Sequence, residues 1–395
     1  MIALTEEDAD GGARVDRPRV AALPRALSLL RSTRADPAAI DRLLSDRGSP
    51  LVEDGAYTFV WRGDADAAAV EHRVLGLPRP VVMRAARDSG VRYATIRLPR
   101  GSRVEYQLLL RRGDSIETVN DPLNPLHAAG PWGSVSVLEA EGYATPAWAM
   151  PDPDAEPGSL VDLTLSSRAL GREARVTLYL PARLSNAERL PLLVLHDGGD
   201  YLEYAALRTV LDNLMHRRRI ADCIVALTHP GNRLVEYAAS REQTEFLNSE
   251  LVPLLERLLP VQAQRSGRVL GGASLGAIAS LAAARAAPHL YGGLLLQSAS
   301  LFASALERDQ RAGPAVRPVA TFTAALSANP QPLAARIFQS VGAFEPLAVR
   351  NRAMRSVMRQ LGGETRYVEG LDGHNWTCWR DRLLDGLGWL LPWPM

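Results

Sequence analysis

The strongest constraint on what this chain can fold into is the rhythm of its C-terminal part. From about residue 166 onward, short apolar runs alternate with helical stretches: REARVTLYLP, LPLLVLHDGGD, ALRTVLDNLMHRR, DCIVALTHP, REQTEFLNSELVPLLERLLP, GRVLGGASLGAIASLAAARAA and YGGLLLQSAS. A strand that is apolar along its whole length has to be buried on both faces, and a helical crossover lets successive strands run parallel. The pattern predicts an α/β fold over residues 166–395, a mostly parallel sheet with helices on both faces. REQTEFLNSELVPLLERLLP reads as one long amphipathic helix.

The preceding stretch has a different texture. AYTFVWRG, RPVVMRA, RYATIRLP and RVEYQLLLRRG are short runs rich in β-branched and aromatic residues, separated by Gly, Pro and Asp turns. This spacing predicts a small antiparallel β-sandwich over 51–150. It closes in NDPLNPLHAAGPWGSVSVLEAEGYATPAW, where clustered Pro, Asn and Gly imply ordered irregular backbone. Residues 151–165, opening with PDPDAEPGS, read as a linker. Residues 1–50 form an N-terminal extension, partly helical in the Ala/Leu/Arg-rich stretch from Arg19 to Leu44. A chain of 395 residues has room for this division.

Composition removes whole chemistries. All 45 basic residues are Arg, so a Walker P-loop, a Schiff-base lysine and a Ser-Lys dyad are excluded. Two cysteines, Cys223 and Cys378, cannot build a disulfide framework or a Cys-based zinc site. His and carboxylate residues show no metal-ligand spacing, so neither metal nor cofactor is implied. A net charge of +1 gives no general reason to expect a nucleic-acid or anionic-membrane partner. No uncharged apolar run is long enough to span a bilayer. The first residues, MIALTEEDADGGARVD, lack a basic segment followed by an apolar one, so no secretory signal and a cytoplasmic location are expected.

The sharpest local signal is Gly272-Ala273-Ser274-Leu275-Gly276. This G-x-S-x-G sits between a strand and a helix, where a nucleophile elbow needs it, and it puts Ser274 at a helix N-terminus. A serine needs a base. Of seven histidines, His374 in VEGLDGHNWTCW best fits the chain order Ser…acid…His; His229, after a strand, is placed to touch substrate. The acid should follow a strand between the two. Glu345, at the end of RIFQSVGAFE, fits; Asp372 is too near His374 in sequence, and Asp309 comes too early. The Leu275 amide and one from the glycine turn His196–Tyr201, that of Gly198 or Gly199, are the expected oxyanion donors.

These residues carry a resemblance. In order, RVTLYLPA, LHDGGDY, VLDNL, IVAL, NRLVEY, EFLNSELVP, GGASLG, GAFEP and DGHNWTCW are similar to the esterase D / enterochelin esterase branch of the α/β-hydrolases. The β-rich stretch before them resembles the N-terminal sandwich of enterochelin (ferric enterobactin) esterases. The resemblance spans about 50 to 395. It implies an α/β-hydrolase domain, Ser274, His374 and Glu345 as a catalytic triad, and Arg233 and Tyr237 near the substrate pocket. Ala277 stands where the family often has a second glycine, and Asp372-Gly373-His374 stands for its usual GGH. The implied substrate is a small-molecule ester, a ferric catecholate siderophore. Such a ligand is polyanionic and aromatic, so guanidinium and aromatic groups suit it. Tyr201, Trp376 and Trp379 join Arg233 and Tyr237 as expected contacts. Two other readings stay open: a feruloyl or acetyl carbohydrate esterase or acyltransferase with a glycan-binding-like sandwich, and a non-catalytic binding protein on a hydrolase scaffold. Nothing in the sequence indicates the oligomeric state.

Overall fold

The computed structural model describes residues 18–20, 42, 44–46, 48–86, 90–184, 188–304 and 313–394. Most of the expected N-terminal extension, and Asp309, lie outside the described residues. The chain divides into two compact units, one running to Ala128 and including Ser134–Tyr143, the other Ala129–Gly133 with Ala144 onward.

The first unit is a pair of antiparallel sheets. In one, Val91–Arg97 lies between Arg19–Val20 and Ala56–Arg62, and Leu51–Glu53 pairs the far side of Ala56–Arg62. In the other, Arg103–Arg112 lies between Ala67–His72 and the strand bearing Ser136–Glu139. Alternation along Arg103–Arg112 buries Tyr106, Leu108 and Leu110 on one face. Phe59 of the first sheet meets Tyr106 of the second edge to face, ring centres 4.6 Å apart, which joins the two sheets in one core.

The second unit is built on eight strands, here β1 (Ser159–Ser167), β2 (Arg172–Leu180), β3 (Leu192–Leu195), β4 (Ile224–His229), β5 (Arg268–Ala273), β6 (Gly293–Gln297), β7 (Ala334–Gly342) and β8 (Gly362–Gly370). Their order across the sheet is β1-β2-β4-β3-β5-β6-β7-β8. The β1–β2 and β2–β4 pairs are antiparallel and all the others parallel. β3 shows why the inner strands are apolar throughout. Leu192 and Val194 point into one hydrophobic cluster, with the helix Leu275–Ala286; Leu193 and Leu195 point into a second, with the helices Leu207–His216 and Leu383–Leu390. The sheet is therefore covered on both faces, an α/β-hydrolase architecture.

Two local expectations change. β1 begins inside the segment expected as a linker. It is an edge strand, mostly exposed, with Leu163 and Leu165 partly buried against the core on one face, so no continuous apolar run marks it. The long helix is divided: Arg241–Glu245 and Val252–Leu258 flank a π-helical segment, Phe246–Leu251. Pro253 has no N–H for the carbonyl one turn back, so regular α-helical bonding fails there. Because β3 to β8 run parallel, their carboxyl ends share one edge. The turns after them carry Asp197–Gly199, Ser274, Ser298, Glu345 and His374.

Candidate active site

Ser274 ends β5 and precedes the helix Leu275–Ala286, with φ 57° and ψ −117°. Positive φ in a non-glycine residue is strained and has to be held by its surroundings. Here the Ser274 N–H donates to the Gln297 carbonyl at 2.8 Å. The turn is so tight that a Cβ on Gly272 would lie 2.8 Å from the Gly276 backbone, and one on Gly276 would lie 3.0 Å from the His196 Cβ. The G-x-S-x-G spacing is thus a steric requirement at both glycines.

Ser274 Oγ lies 3.0 Å from His374 Nε2. His374 Nδ1 makes a short contact with Glu345 Oε2. Glu345 is wholly buried, yet both its oxygens have partners: Oε1 accepts from Ser298 Oγ at 2.5 Å and from the Gly342 N–H at 2.7 Å. Ser298 Oγ in turn accepts from Trp379 Nε1 at 2.8 Å. The His374 ring stands edge-on to the Trp379 ring, 5.0 Å between centres. Asp372, the alternative acid, holds the loop instead: its Oδ1 accepts from the Gly373 N–H at 2.6 Å and Asn375 Nδ2 at 2.7 Å. Asn375 then caps the helix Trp376–Asp381 through the Cys378 N–H.

The glycine turn follows β3. Asp197 takes a left-handed conformation, φ 56°, and starts the short helix Gly198–Tyr204. The amides of Gly198 and Gly199, and that of Leu275 on the neighbouring helix, belong to first turns and have no intrahelical acceptor. Asp197 receives Arg233 Nε at 2.8 Å and Nη2 at 2.7 Å, a two-point ion pair that fixes the turn. Burial, reinforced by the neighbouring Asp197 carboxylate, pushes Asp200 up to about 6. Beneath the turn, burial pushes His196 down to about 4, so the imidazole is neutral, with Nδ1 set 2.9 Å from the Gly271 carbonyl. His229 packs against Gly199 and shares a 2.9 Å hydrogen bond with Thr177 through Nε2.

The sequence-derived substrate contacts separate into two groups. Arg233 keeps a third of its side chain exposed, and Trp376 is half-buried. Tyr201 and Tyr237 are wholly buried and Trp379 is 5% exposed, and their polar tips meet protein groups. Tyr201 donates to Gln297 Oε1 at 2.6 Å, Tyr237 accepts from the Asp197 N–H at 3.3 Å, and Trp379 holds Ser298. All three brace the turns that carry the polar groups.

Sequence reasoning missed the segment Gln297–Ser300. The Gln297 carbonyl receives the Ser274 N–H, Ser298 holds Glu345, and Ser300 Oγ lies 3.0 Å from Ser274 Oγ. A polar Q-S-x-S run at the end of an otherwise apolar strand is the signal that was there to find. Among the described residues no group of three or more His, Cys, Asp or Glu could hold a metal ion, and no helix is long and apolar enough to cross a membrane.

Residues 167–390 match the esterase family model, described as "Putative esterase". Iron(III) salmochelin esterase of Escherichia coli O6:H1 is 26% identical over 377 residues, covering 86% of this chain and 88% of that protein. Iron(III) enterobactin esterase of Escherichia coli K12 is 27% identical, covering 69% and 67% respectively. The crystal structure of enterobactin esterase from Shigella flexneri in the presence of enterobactin shares the fold, with a TM-score of 0.69 at 22% identity, over 86% of this chain and 94% of that one. The chain therefore belongs to the esterase family of carboxylic ester hydrolases, on the α/β-hydrolase fold and similar to its enterochelin-esterase branch.

Proposed function

We propose that this protein is a serine esterase in which Ser274, His374 and Glu345 act as a catalytic triad on a catecholate siderophore ester. The observation that carries the reading is the unbroken hydrogen-bond chain from Ser274 Oγ through His374 to buried Glu345. An ionised carboxylate only accepts, so Glu345 selects the His374 tautomer with its proton on Nδ1 and leaves the Nε2 lone pair toward Ser274. As Ser274 Oγ bonds to the ester carbonyl carbon, its proton passes to Nε2. The Leu275 amide and that of Gly198 or Gly199 stabilise the oxyanion. His374 protonates the departing alcohol, and water then repeats the sequence on the acyl-enzyme.

The activities named for the two Escherichia coli relatives support a siderophore trilactone as substrate. Partly exposed Arg233 and Trp376 suit it, since a guanidinium and an indole face both favour catecholate rings. Ser274→Ala should abolish release of linear fragments from a catechol trilactone, and hydrolysis of a chromogenic butyrate ester, while leaving the thermal midpoint unchanged. Retained turnover of both would sink the triad. Faster turnover of feruloyl or acetyl sugar esters than of the trilactone would sink the siderophore assignment alone.

A further inference from the structure

We infer that Ser300 is a further catalytic residue, a hydrogen-bond donor to the Ser274 oxygen that speeds its departure from the acyl-enzyme. The inference rests on the reading of Ser274 as nucleophile. Proton counting around that oxygen fixes the direction of the bond. Glu345 accepts the hydrogen bond from His374 Nδ1–H, so Nε2 can only accept, and the single Ser274 hydroxyl proton points to it at 3.0 Å. The second neighbour of Ser274 Oγ is Ser300 Oγ, also at 3.0 Å. With the Ser274 proton already committed, Ser300 supplies the proton of that bond.

The arrangement is held from both sides. The Ser300 N–H donates to the Ser274 carbonyl at 3.3 Å, and the Ser274 N–H donates to the Gln297 carbonyl at 2.8 Å, so the segment wraps the nucleophile. Asn351 Nδ2 donates to the Ala299 carbonyl at 2.9 Å and anchors the residue just before Ser300. Ser300 is only 3% exposed, so water cannot readily replace its hydroxyl.

A donor on the nucleophile oxygen acts unequally on the two half-reactions. In acylation it eases loss of the Ser274 proton but draws electron density from the attacking lone pair, and the two effects oppose. In deacylation, water oxygen bonds to the acyl carbon while His374 Nε2 takes its proton. The bond from acyl carbon to Ser274 Oγ then breaks, and Oγ recovers a proton from Nε2. During that cleavage negative charge gathers on Oγ, and a donor already in place stabilises it without itself transferring a proton. A hydrogen bond to a group carrying charge is stronger than one between neutral groups, and about a tenfold rate effect is expected from its loss.

Pre-steady-state hydrolysis of p-nitrophenyl butyrate by the full chain tests this, the fast phase reading acylation and the linear phase deacylation. Reaction with a fluorophosphonate, which stops at the phosphonylated serine, reports whether the nucleophile is formed. Ser300→Ala should label Ser274 within about threefold of the wild-type rate, show a burst of one acyl group per protein, and deacylate about tenfold more slowly. Wild-type deacylation in the variant, or an equal loss of labelling, acylation and deacylation, would overturn the role of Ser300. Failure of the wild-type protein to label at Ser274 would instead remove the nucleophile reading beneath it.

Discussion

Glu345→Gln is the most demanding perturbation of the proposed triad, because the structure dictates how the new amide must lie. Oε1 of Glu345 faces two donors, the Gly342 N–H at 2.7 Å and Ser298 Oγ at 2.5 Å, and Ser298 already accepts from Trp379. The glutamine carbonyl has to take that position, since an NH2 there would oppose a buried N–H and leave both unpaired. The NH2 therefore replaces Oε2 and donates to His374 Nδ1. The imidazole responds by carrying its proton on Nε2, where it meets the Ser274 hydroxyl as a donor and can no longer serve as base. The same exchange in a serine-protease triad lowers kcat about 10⁴-fold through the wrong tautomer, equivalent to about 5.5 kcal/mol of barrier. A loss of that order is expected here, with volume and fold preserved. The assay is steady-state hydrolysis of a chromogenic butyrate ester, with the thermal midpoint as the check on folding. A folded Gln variant within tenfold of the wild-type kcat would refute the claim that this carboxylate sets the histidine tautomer.

Two further outcomes follow from the glycine turn and the histidine under it. A Cβ on Gly198 would sit 2.3 Å from Leu227 Cβ, whereas one on Gly199 would meet the His229 ring, Nδ1 at 3.3 Å and Cε1 at 3.4 Å. Gly198→Ala should thus lower stability by about 1–3 kcal/mol through overpacking and reduce kcat by displacing the turn, while Gly199→Ala costs much less; equal effects in a denaturant and activity series would contradict the packing. Burial holds His196 at about 4, against 6.5 for an exposed imidazole, so the unfolded chain binds the extra proton first as pH falls between those values. The His196 contribution to stability should fall by about 2 kcal/mol from pH 7 to pH 5. Urea unfolding of wild type against His196→Gln reads it as a difference in slope, and parallel slopes would contradict a neutral buried ring.

The parts legible in the sequence are those where one physical demand governs many residues. β3 and β5 are buried on both faces, so burial forces apolar side chains along their whole length and the parallel sheet could be read from them. β1 could not, because an edge strand packed against the core only in part, through Leu163 and Leu165, needs no continuous apolar run. The turn Gly272–Gly276 was visible for a similar reason: its two glycines answer a steric constraint that leaves no other residue. The aromatic residues were harder. Tyr201, Tyr237 and Trp379 have polar tips that suit a ligand and a buried acceptor equally well, and their sequence neighbours do not distinguish the two. Ser300 was invisible for a different reason, since the atom it meets is 26 positions away in the chain and one strand over in the sheet.

The strained residues explain why the site keeps non-glycine residues at its turns, with glycines beside two of the three. Asp197, Ser274 and Ser298, at φ 56°, 57° and 48°, follow the adjacent strands β3, β5 and β6. Positive φ disfavours each by about 1–3 kcal/mol, and glycine would relieve all three. It would also delete the carboxylate that holds Arg233, the hydroxyl aimed at His374 and the hydroxyl that holds Glu345. Side chains are retained where a polar group is needed, and glycine appears one or two positions away, at 198, 199, 272 and 276, where only room is needed. Buried hydrogen bonds then hold the strained backbone: the Ser274 N–H on Gln297, the Ser298 N–H on the Ser340 carbonyl at 2.7 Å, and the Asp197 N–H on Tyr237. Removing one such anchor should therefore displace the polar group above it even where the sheet stays intact, which makes the braces as consequential for the chemistry as the groups they carry.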